Sequence, residues 1–265
     1  MTDAKGDAVV SKTTFLAASL MAVGAMTLAS AQPNPTPISD PITMTSNSVS
    51  SYILLDRTGS MSGIWDEALS SVNTYAAAVG KLEEGEADDL ETKVTLAAFD
   101  FQNGFQYDLL RRDIEPGSWQ QVSTDEVSPR GMTPLFDAIN RTITMAEADG
   151  PEKAVIVIMT DGLENSSREV TRDGAKAALE RAEARGWEVV FLGAEFANFA
   201  DAEGVGVASS KSMAVSAGQL NATQERLARK ARDYGKGESA DIIFDEEDRA
   251  IAEEEVVKER TGQNR

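Results

Sequence analysis

The sequence contains no cysteine and no histidine among its 265 residues. The missing cysteine excludes disulfides, thiolate catalysis and zinc–sulfur sites. The missing histidine excludes Ser-His-Asp and Cys-His catalysis within this chain, and it excludes imidazole metal ligands. Any metal ion that the chain binds must therefore be held by oxygen ligands, which favour Mg²⁺, Ca²⁺ or Mn²⁺.

Basic side chains are also scarce. The chain has 25 Lys and Arg against 44 Asp and Glu, which gives a formal net charge of −19. Such a chain repels phosphate groups unless it carries a basic patch, and the sequence contains none, so we exclude nucleic acid as its main partner. Hydrophobic residues make up 42% of the chain, which is enough for a substantial core in one large α/β domain or two small ones.

The N-terminal 50 residues divide into an apolar stretch and a linker. The stretch Phe15–Leu28 follows Lys12 and precedes Ala29-Ser30-Ala31, which fits a signal-peptidase site. Its 14 residues are too few to span a bilayer comfortably. We therefore expect a signal peptide over residues 1–31, no membrane span, and an exported protein that is periplasmic or secreted. Residues 32–50 contain four prolines among many Ser, Thr and Asn, which predicts a flexible linker.

One feature of this N-terminus argues against export. The side-chain charges of the first 12 residues sum to zero, whereas the start of a typical signal peptide is basic. An uncleaved apolar helix or extension, in a cytoplasmic protein, is the alternative.

The body of the chain alternates between apolar strands and amphipathic helices. The predicted strands cover residues 51–56, 92–100, 104–110, 153–159, 187–193 and part of 205–215. The predicted helices cover residues 62–82, 134–148, 169–185 and 216–234. This alternation indicates an α/β fold, a Rossmann-like open and mainly parallel sheet with helices on both faces. The short turn Gln102-Asn103-Gly104 predicts a hairpin, and therefore one antiparallel strand on the edge side of the sheet.

The last 30 residues, 236–265, form an acidic tail. From Glu238 onwards they carry ten acidic and four basic side chains. Residues 246–260 are compatible with a helix, but such a charge run is typical of a solvated face or a disordered tail.

Carboxylate and hydroxyl side chains stand where the predicted sheet would bind a ligand. Asp56-x-Thr58-x-Ser60 follows the first strand, Thr133 opens a middle helix, and Asp161 follows the most apolar strand. In an open α/β sheet, ligands gather beyond the carboxyl ends of the strands. Two carboxylates and three hydroxyls are hard oxygen donors that suit octahedral Mg²⁺ or Mn²⁺. Their side-chain charge of about −2 would balance one divalent ion.

Neighbouring residues receive plainer interpretations. Alternate side chains of a tight loop point the same way, so Arg57 is predicted to point away from the ion. Gly59 allows unusual dihedrals or a close approach. We interpret Ser62 as a helix cap and Asp100 as a turn residue. Each motif taken alone is also compatible with an ordinary turn or helix start, so the metal site depends on the whole set.

The motifs Asp56-x-Thr58-x-Ser60, Thr133 and Asp161 together resemble the metal-ion-dependent adhesion site (MIDAS) of von Willebrand factor type A (VWA) domains. The usual first motif is Asp-x-Ser-x-Ser. This chain departs from it at Thr58, which keeps the hydroxyl and adds a methyl group. The resemblance covers about residues 51–235, with LLDRTGSMSG and MTDG in the same order as in the family.

The resemblance implies a role for each residue. Thr58 and Ser60 would bind the ion through their hydroxyls, Thr133 would bind directly or through water, and Asp56 and Asp161 would neutralise its charge, often through water. The ion would be Mg²⁺ or Mn²⁺, with Ca²⁺ as a further candidate. The partner would be a protein that offers an Asp or Glu carboxylate. The implied function is metal-dependent protein binding without catalysis, and isolated domains of this kind occur in bacterial and bacteriophage chains.

Two alternatives start from the same residues. An assembly or structural scaffold with this fold would use the metal for stability alone. A haloacid-dehalogenase-like phosphatase would use Asp56 as a nucleophile with Mg²⁺, but that chemistry needs Asp-x-Asp, and this chain has Thr58 at the second position. A serine hydrolase at Ser60 lacks both His and the Gly-x-Ser-x-Gly elbow, and a phosphate-binding Gly-x-x-x-x-Gly-Lys-Ser/Thr loop is missing as well.

Overall fold

A six-stranded sheet lies at the centre of the part of the chain that the computed structural model describes, residues 47–82, 89–194 and 200–262. Its strands are β1 (Asn47–Asp56), β2 (Leu90–Phe101), β3 (Phe105–Ile114), β4 (Ala154–Thr160), β5 (Glu188–Ala194) and β6 (Ser212–Val215). Their spatial order is β3-β2-β1-β4-β5-β6. All neighbours pair in parallel except β2 and β3, which form the predicted antiparallel hairpin at one edge. The predicted fold class is confirmed.

Seven helices connect or flank the strands in the described ranges. They are α1 (Trp65–Val79), α2 (Leu135–Asp149), α3 (Arg172–Ala184), α4 (Ala200–Gly204), α5 (Leu220–Lys236), α6 (Glu246–Ile251) and α7 (Glu254–Thr261). Among these helices, none has the length and apolar character that crossing a membrane would require. The predicted signal peptide, residues 1–31, lies outside the described residues.

The central strands are buried on both faces, so alternate side chains enter two different cores. On β1, Ile53 and Leu55 belong to the core that includes residues of α1 and α5. Tyr52 and Leu54 belong to the opposite core, which includes residues of α2 and α3. This two-sided burial explains why the strands form nearly continuous apolar runs in the sequence. Because parallel strands end at the same edge, it also places the loops after β1 and β4 together.

The turn between β2 and β3 has the geometry that its sequence favours. Asn103 and Gly104 both have positive φ angles, 60° and 129°. Asparagine and glycine tolerate this left-handed region better than other residues, which explains the hairpin here.

The ends of the folded unit differ from the predicted boundaries. β1 begins at Asn47, inside the predicted linker. Beyond residue 235, Ile242 and Val257 are buried, and the backbone N–H of Phe244 donates to the carbonyl oxygen of Ser210 at 2.7 Å. The described residues 236–262 are therefore ordered and packed against the sheet on one side, while charged residues such as Glu247 and Glu255 remain exposed on a solvated face. Apolar residues between the charges bury themselves beside β6, and α6 and α7 form where a helix was compatible with the sequence.

Candidate metal site

The loops after β1 and β4 lie side by side. The two strands are parallel neighbours, and Leu55 pairs with Met159 near their carboxyl ends. Asp56 is therefore brought next to the loop that begins at Thr160 and Asp161. A third loop, which precedes α2 and contains Thr133, completes the surroundings.

The five predicted site residues form one hydrogen-bonded group, which we call the oxygen cluster (the side-chain oxygens of Asp56, Thr58, Ser60, Thr133 and Asp161). Ser60 Oγ donates to Asp161 Oδ1 at 2.7 Å and lies 3.0 Å from Thr58 Oγ1. Thr133 Oγ1 lies 3.4 Å from Thr58 Oγ1. The backbone N–H of Thr58 donates to Asp56 Oδ1 at 2.7 Å. All five residues therefore share one site, although they come from three loops.

Two further residues complete the cluster, and the sequence motifs did not single them out. The Thr160 hydroxyl donates a short hydrogen bond to Asp56 Oδ2. The backbone N–H of Gly162 in turn donates to Thr160 Oγ1 at 3.1 Å. A useful signal in the sequence is the hydroxyl directly before Asp161 at the end of β4, because a hydroxyl there can contact the carboxylate that ends the neighbouring strand.

The space in front of Gly162 is surrounded by cluster oxygens. A Cβ atom placed on Gly162 would lie 2.9 Å from Thr133 Oγ1, 3.5 Å from Ser60 Oγ and 3.7 Å from Asp56 Oδ2. One atom at that point would thus approach oxygens from three of the five predicted residues. This cradle, made of hard oxygen donors, fits a small divalent cation.

The carboxylates of the cluster are buried without a compensating charge. The residue Asp56 has no exposed surface, and Asp161 is 8% exposed. Within the described residues, neither forms an ion pair with Lys or Arg. Burial raises the pKa of Asp56 to about 7, despite hydrogen bonds from Thr160 and Thr58 that lower it. Burial likewise raises the pKa of Asp161. A divalent cation would supply the charge that is lacking here.

Arg57 points away from the cluster, as predicted. Its Nε lies 2.5 Å from Asp100 Oδ2, and its Nη2 lies 2.6 Å from Asp108 Oδ2. Arg130 Nε also contacts Asp100 Oδ2, at 3.1 Å. Asp100 is fully buried and lies within β2, paired with Gln106, so its interpretation as a turn residue is wrong. It anchors the backbone of the first motif through an ion pair on the side opposite the cluster.

The loop before α2 is held against the first motif by the backbone. Arg130 N–H donates to the carbonyl oxygen of Arg57 at 2.7 Å, and Gly59 N–H donates to that of Gly131 at 3.2 Å. Gly131 has a φ of +71°, and a Cβ there would lie 2.5 Å from the carbonyl oxygen of Phe101. The close approach therefore requires glycine at position 131. Gly59 itself has neither a positive φ nor a close contact, in contrast to the expectation for it.

The Ser62 hydroxyl was expected to cap a helix and does not do so, and Thr133 does not form the helix cap that its motif alone would also allow. Ser62 Oγ donates to the carbonyl oxygen of Gly59 at 2.7 Å, and α1 begins without a side-chain cap. Pro134 is the N-cap residue of α2, so the helix begins one residue later than the predicted start at Pro134. The Thr133 hydroxyl instead lies near the Thr58 hydroxyl in the cluster. Thr133 therefore does not cap α2.

The cluster depends on hydroxyls as much as on carboxylates. Across the described ranges, no group of three or more acidic side chains is placed to hold a metal ion. The arrangement instead offers two carboxylates and three hydroxyls. Its chemistry is therefore that of a hard-cation site with few charged ligands, which leaves room for water or for an oxygen from a partner.

Comparisons of sequence and of structure gave different results. No family model and no curated protein matches this chain by sequence. Among solved structures, the pilus adhesin SpaC from Lactobacillus rhamnosus GG matches with a TM-score of 0.53 and 15% identity, over 70% of this chain and 31% of that one. Proximal thread matrix protein 1 from the mussel byssus matches with a TM-score of 0.50 and 16% identity, over 70% and 46%.

A third match is the vWF domain of the type V pili tip protein Mfa5 from Porphyromonas gingivalis. Its TM-score is 0.50 with 12% identity, over 69% of this chain and 94% of that domain. This chain thus matches nearly the whole of an isolated vWF domain, but less than half of SpaC and of the mussel protein. At such low identities, the similarity establishes the fold alone. The chain has the fold of von Willebrand factor type A domains.

Proposed function

We propose that this chain is a protein-binding module that depends on a divalent metal ion and captures an acidic group of its partner at the oxygen cluster. The observation that carries the proposal is the pair of buried carboxylates, Asp56 and Asp161, which converge with three hydroxyls and have no basic partner in the described residues. Mg²⁺ is the preferred ion, Mn²⁺ is its closest substitute, and Ca²⁺ is a further candidate.

In this proposal, the residues of the cluster have distinct tasks. Ser60 and Thr58 offer hydroxyl oxygens from one loop, and Thr133 offers a third from another. Asp56 and Asp161 balance the charge of the ion. When bound, the ion supplies a coordination position for a carboxylate of the partner. The buried ion pair of Arg57 with Asp100 keeps the first loop in place from behind. No step of covalent catalysis is part of this function.

The comparisons support the proposal at the level of protein class. SpaC is described as a pilus adhesin and Mfa5 as a pili tip protein. We therefore propose an adhesion or interaction role for this chain too, and export to the periplasm or the outside of the cell. N-terminal sequencing of material from the native host should begin at Gln32. A mature chain that starts at Met1 or Thr2 would contradict export.

Metal binding is tested by thermal unfolding with and without Mg²⁺ or Mn²⁺, together with calorimetric titration. We expect the ion to raise the melting temperature, because it binds the folded state alone. Asp56→Ala and Asp161→Ala should abolish the rise. Asp125→Ala, at an exposed position outside the cluster, is the matched control and should keep it. A titration without heat of divalent binding in the unmutated chain would refute the metal site.

Partner capture is tested by a pull-down from the native host, with partners identified by mass spectrometry. We expect partners that are retained in Mg²⁺, released by EDTA and lost with Asp161→Ala. If the ion raises the melting temperature but the same partners remain bound in EDTA, the metal has only a stabilising role and the scaffold alternative is correct.

A further inference from the structure

Two exposed apolar residues lie within two positions of cluster residues in the sequence. Met132 directly precedes Thr133, and Leu163 is two residues after Asp161; each is 46% exposed. The large apolar side chains that are exposed in the described ranges number six, namely Leu82, Leu109, Met132, Leu163, Ile243 and Val256. Two of these six therefore belong to the loops that carry Thr133 and Asp161. Exposed apolar groups that occur together beside polar residues are typical of interaction sites.

The loops that carry Met132 and Leu163 are firmly held. Met132 exchanges two backbone hydrogen bonds with Phe101, at 2.9 and 3.2 Å. On the other side, the backbone N–H of Thr133 donates to Asn165 Oδ1 at 2.9 Å, and Asn165 N–H donates to the carbonyl oxygen of Thr133 at 3.1 Å. Both loops are thus joined at Thr133. The two apolar side chains are presented by fixed backbone on either side of a cluster residue.

A positive charge lies beside the same loop. The guanidinium carbon of Arg168 stands 4.5 Å from the ring centroid of Phe101, the residue that pairs with Met132. Arg168 is exposed and, within the described residues, forms no ion pair. Stacking on an aromatic ring orients a guanidinium while leaving its edge free for a carboxylate. In a chain with a net charge of −19, this arginine is complementary to an acidic partner.

We propose that the rim of the cluster, defined as Met132, Leu163 and Arg168, selects a protein segment of a particular composition. Aliphatic side chains next to the metal-bound carboxylate cover Met132 and Leu163, and a second carboxylate pairs with Arg168. The apolar contacts also exclude water from the ion–carboxylate contact, which strengthens it. This inference rests on the proposed function, because it takes the metal-bound carboxylate as its starting point.

The test is a selection from phage-displayed nonapeptides that have a central Asp or Glu and random residues elsewhere. The full chain is immobilised in Mg²⁺, and bound phage are eluted with EDTA. We expect aliphatic residues beside the central position and a further Asp or Glu to be enriched. The double variant Met132→Ser/Leu163→Ser should lose the aliphatic preference and bind the selected peptides about tenfold more weakly. Arg168→Gln should lose the preference for a second acidic residue.

The control is Leu82→Ser, since Leu82 is 42% exposed and follows the end of α1 that is farther from the first motif. It should select the same peptides as the unmutated chain, and all variants should keep their Mg²⁺ titration. Peptides that share only the central acid, or unchanged preferences in the rim variants, would overturn the inference and leave the proposed function standing. Mg²⁺ binding without any EDTA-eluted peptide would also overturn it. Failure of Mg²⁺ binding itself would instead refute the proposed function.

Discussion

The oxygen cluster and the C-terminal helices bury carboxylates in opposite ways. In the C-terminal region, Asp248 lies 2.6 Å from Arg226 and 2.9 Å from Lys230, and it is 3% exposed. Asp56 is buried at least as deeply, but no basic side chain of the described residues pairs with it. The first arrangement neutralises a charge internally, as structural ion pairs do. The second leaves the carboxylate without a charge partner in the described residues, and in the proposed function a divalent cation balances it.

The pKa values differ between the two kinds of buried carboxylate in the same way. Burial tends to raise the pKa of Glu254, near the start of α7, but hydrogen bonds from Lys258 and Arg249 outweigh burial and lower it. At Asp56, burial outweighs the hydrogen bonds, and the pKa rises to about 7. Depth of burial alone therefore does not distinguish the two kinds of carboxylate in this molecule. The informative feature is a buried carboxylate that lacks a basic partner.

The largest expected effect comes from removing one of the two arginines that pair with the fully buried Asp100. Arg57→Met leaves Asp100 with Arg130 alone, so we expect the free energy of unfolding to fall by about 4 kcal/mol, as for other broken buried pairs. Urea unfolding measures the loss. The double variant Arg57→Met/Asp100→Leu should recover much of it. If Arg57→Met leaves the free energy of unfolding unchanged, pairing with Arg57 does not stabilise the buried carboxylate of Asp100.

A second substitution tests internal pairing in the C-terminal region, where the buried Glu254 has two basic partners. Arg249→Met removes a cation 2.8 Å from the buried Glu254 while Lys258 remains, and we expect a loss of about 3 kcal/mol in urea unfolding. Calorimetry should find Mg²⁺ affinity unchanged, because the C-terminal ion pairs are separate from the oxygen cluster. A loss of Mg²⁺ affinity in this variant would show that the two regions are coupled.

The dependence of stability on pH should have opposite signs in the two regions. The pKa of Asp56 in the folded chain, about 7, exceeds the unfolded value of about 3.9. In EDTA its contribution is therefore present below about pH 4 and is lost as the pH rises towards 7, by roughly 2 kcal/mol between pH 5 and 7. Asp56→Asn should remove this loss. The measurement is urea unfolding of both proteins across this range.

Asp245, before α6, should give stability the opposite dependence on pH. A hydrogen bond from the backbone N–H of Asp248, together with one from Lys230, lowers its pKa to about 2. Its contribution is present above about pH 4 and is lost as the pH falls towards 2. Comparing Asp245→Asn with the unmutated chain between pH 2 and 5 isolates this contribution. If stability fell with rising pH through both Asp56 and Asp245, the predicted opposite signs would be wrong.

The smallest expected effect concerns the cradle in front of Gly162. In Gly162→Ala the methyl group would enter the space between Thr133 Oγ1 and Ser60 Oγ, so Mg²⁺ affinity should fall about tenfold or more. Gly63→Ala is the matched control, because a Cβ at Gly63 meets no atom within 4 Å. Calorimetric titration of both variants provides the measurement. Equal affinities would place the ion away from this cradle.

Most of the fold could be predicted because its central strands are buried on both faces. Such strands are continuous apolar runs, and the run that forms β4 ends in Thr160-Asp161-Gly162, where the structure also ends the strand. The C-terminal region was harder to predict. Its net acidity suggested solvation, but Asp248 and Glu254 are neutralised by bases that lie on α5, at the end of α6 and within α7. The pair of Arg226 with Asp248 joins residues 22 positions apart and leaves no local pattern, although Lys258 and Glu254 have the i,i+4 spacing of a helix pair.

The sequence alone determined the types of ligand that this protein offers. Without Cys and His only oxygen donors are available, and the order of Asp56, Thr58, Ser60, Thr133 and Asp161 after particular strands pointed to a shared site. The tertiary structure decided which carboxylates lack a basic partner. Asp56 and Asp100 both lie at or next to the last residue of a strand and are both fully buried, yet only Asp100 meets an arginine. Side chains leaving the same edge of a sheet point in different directions, and the three-dimensional packing of the loops decides which charges meet.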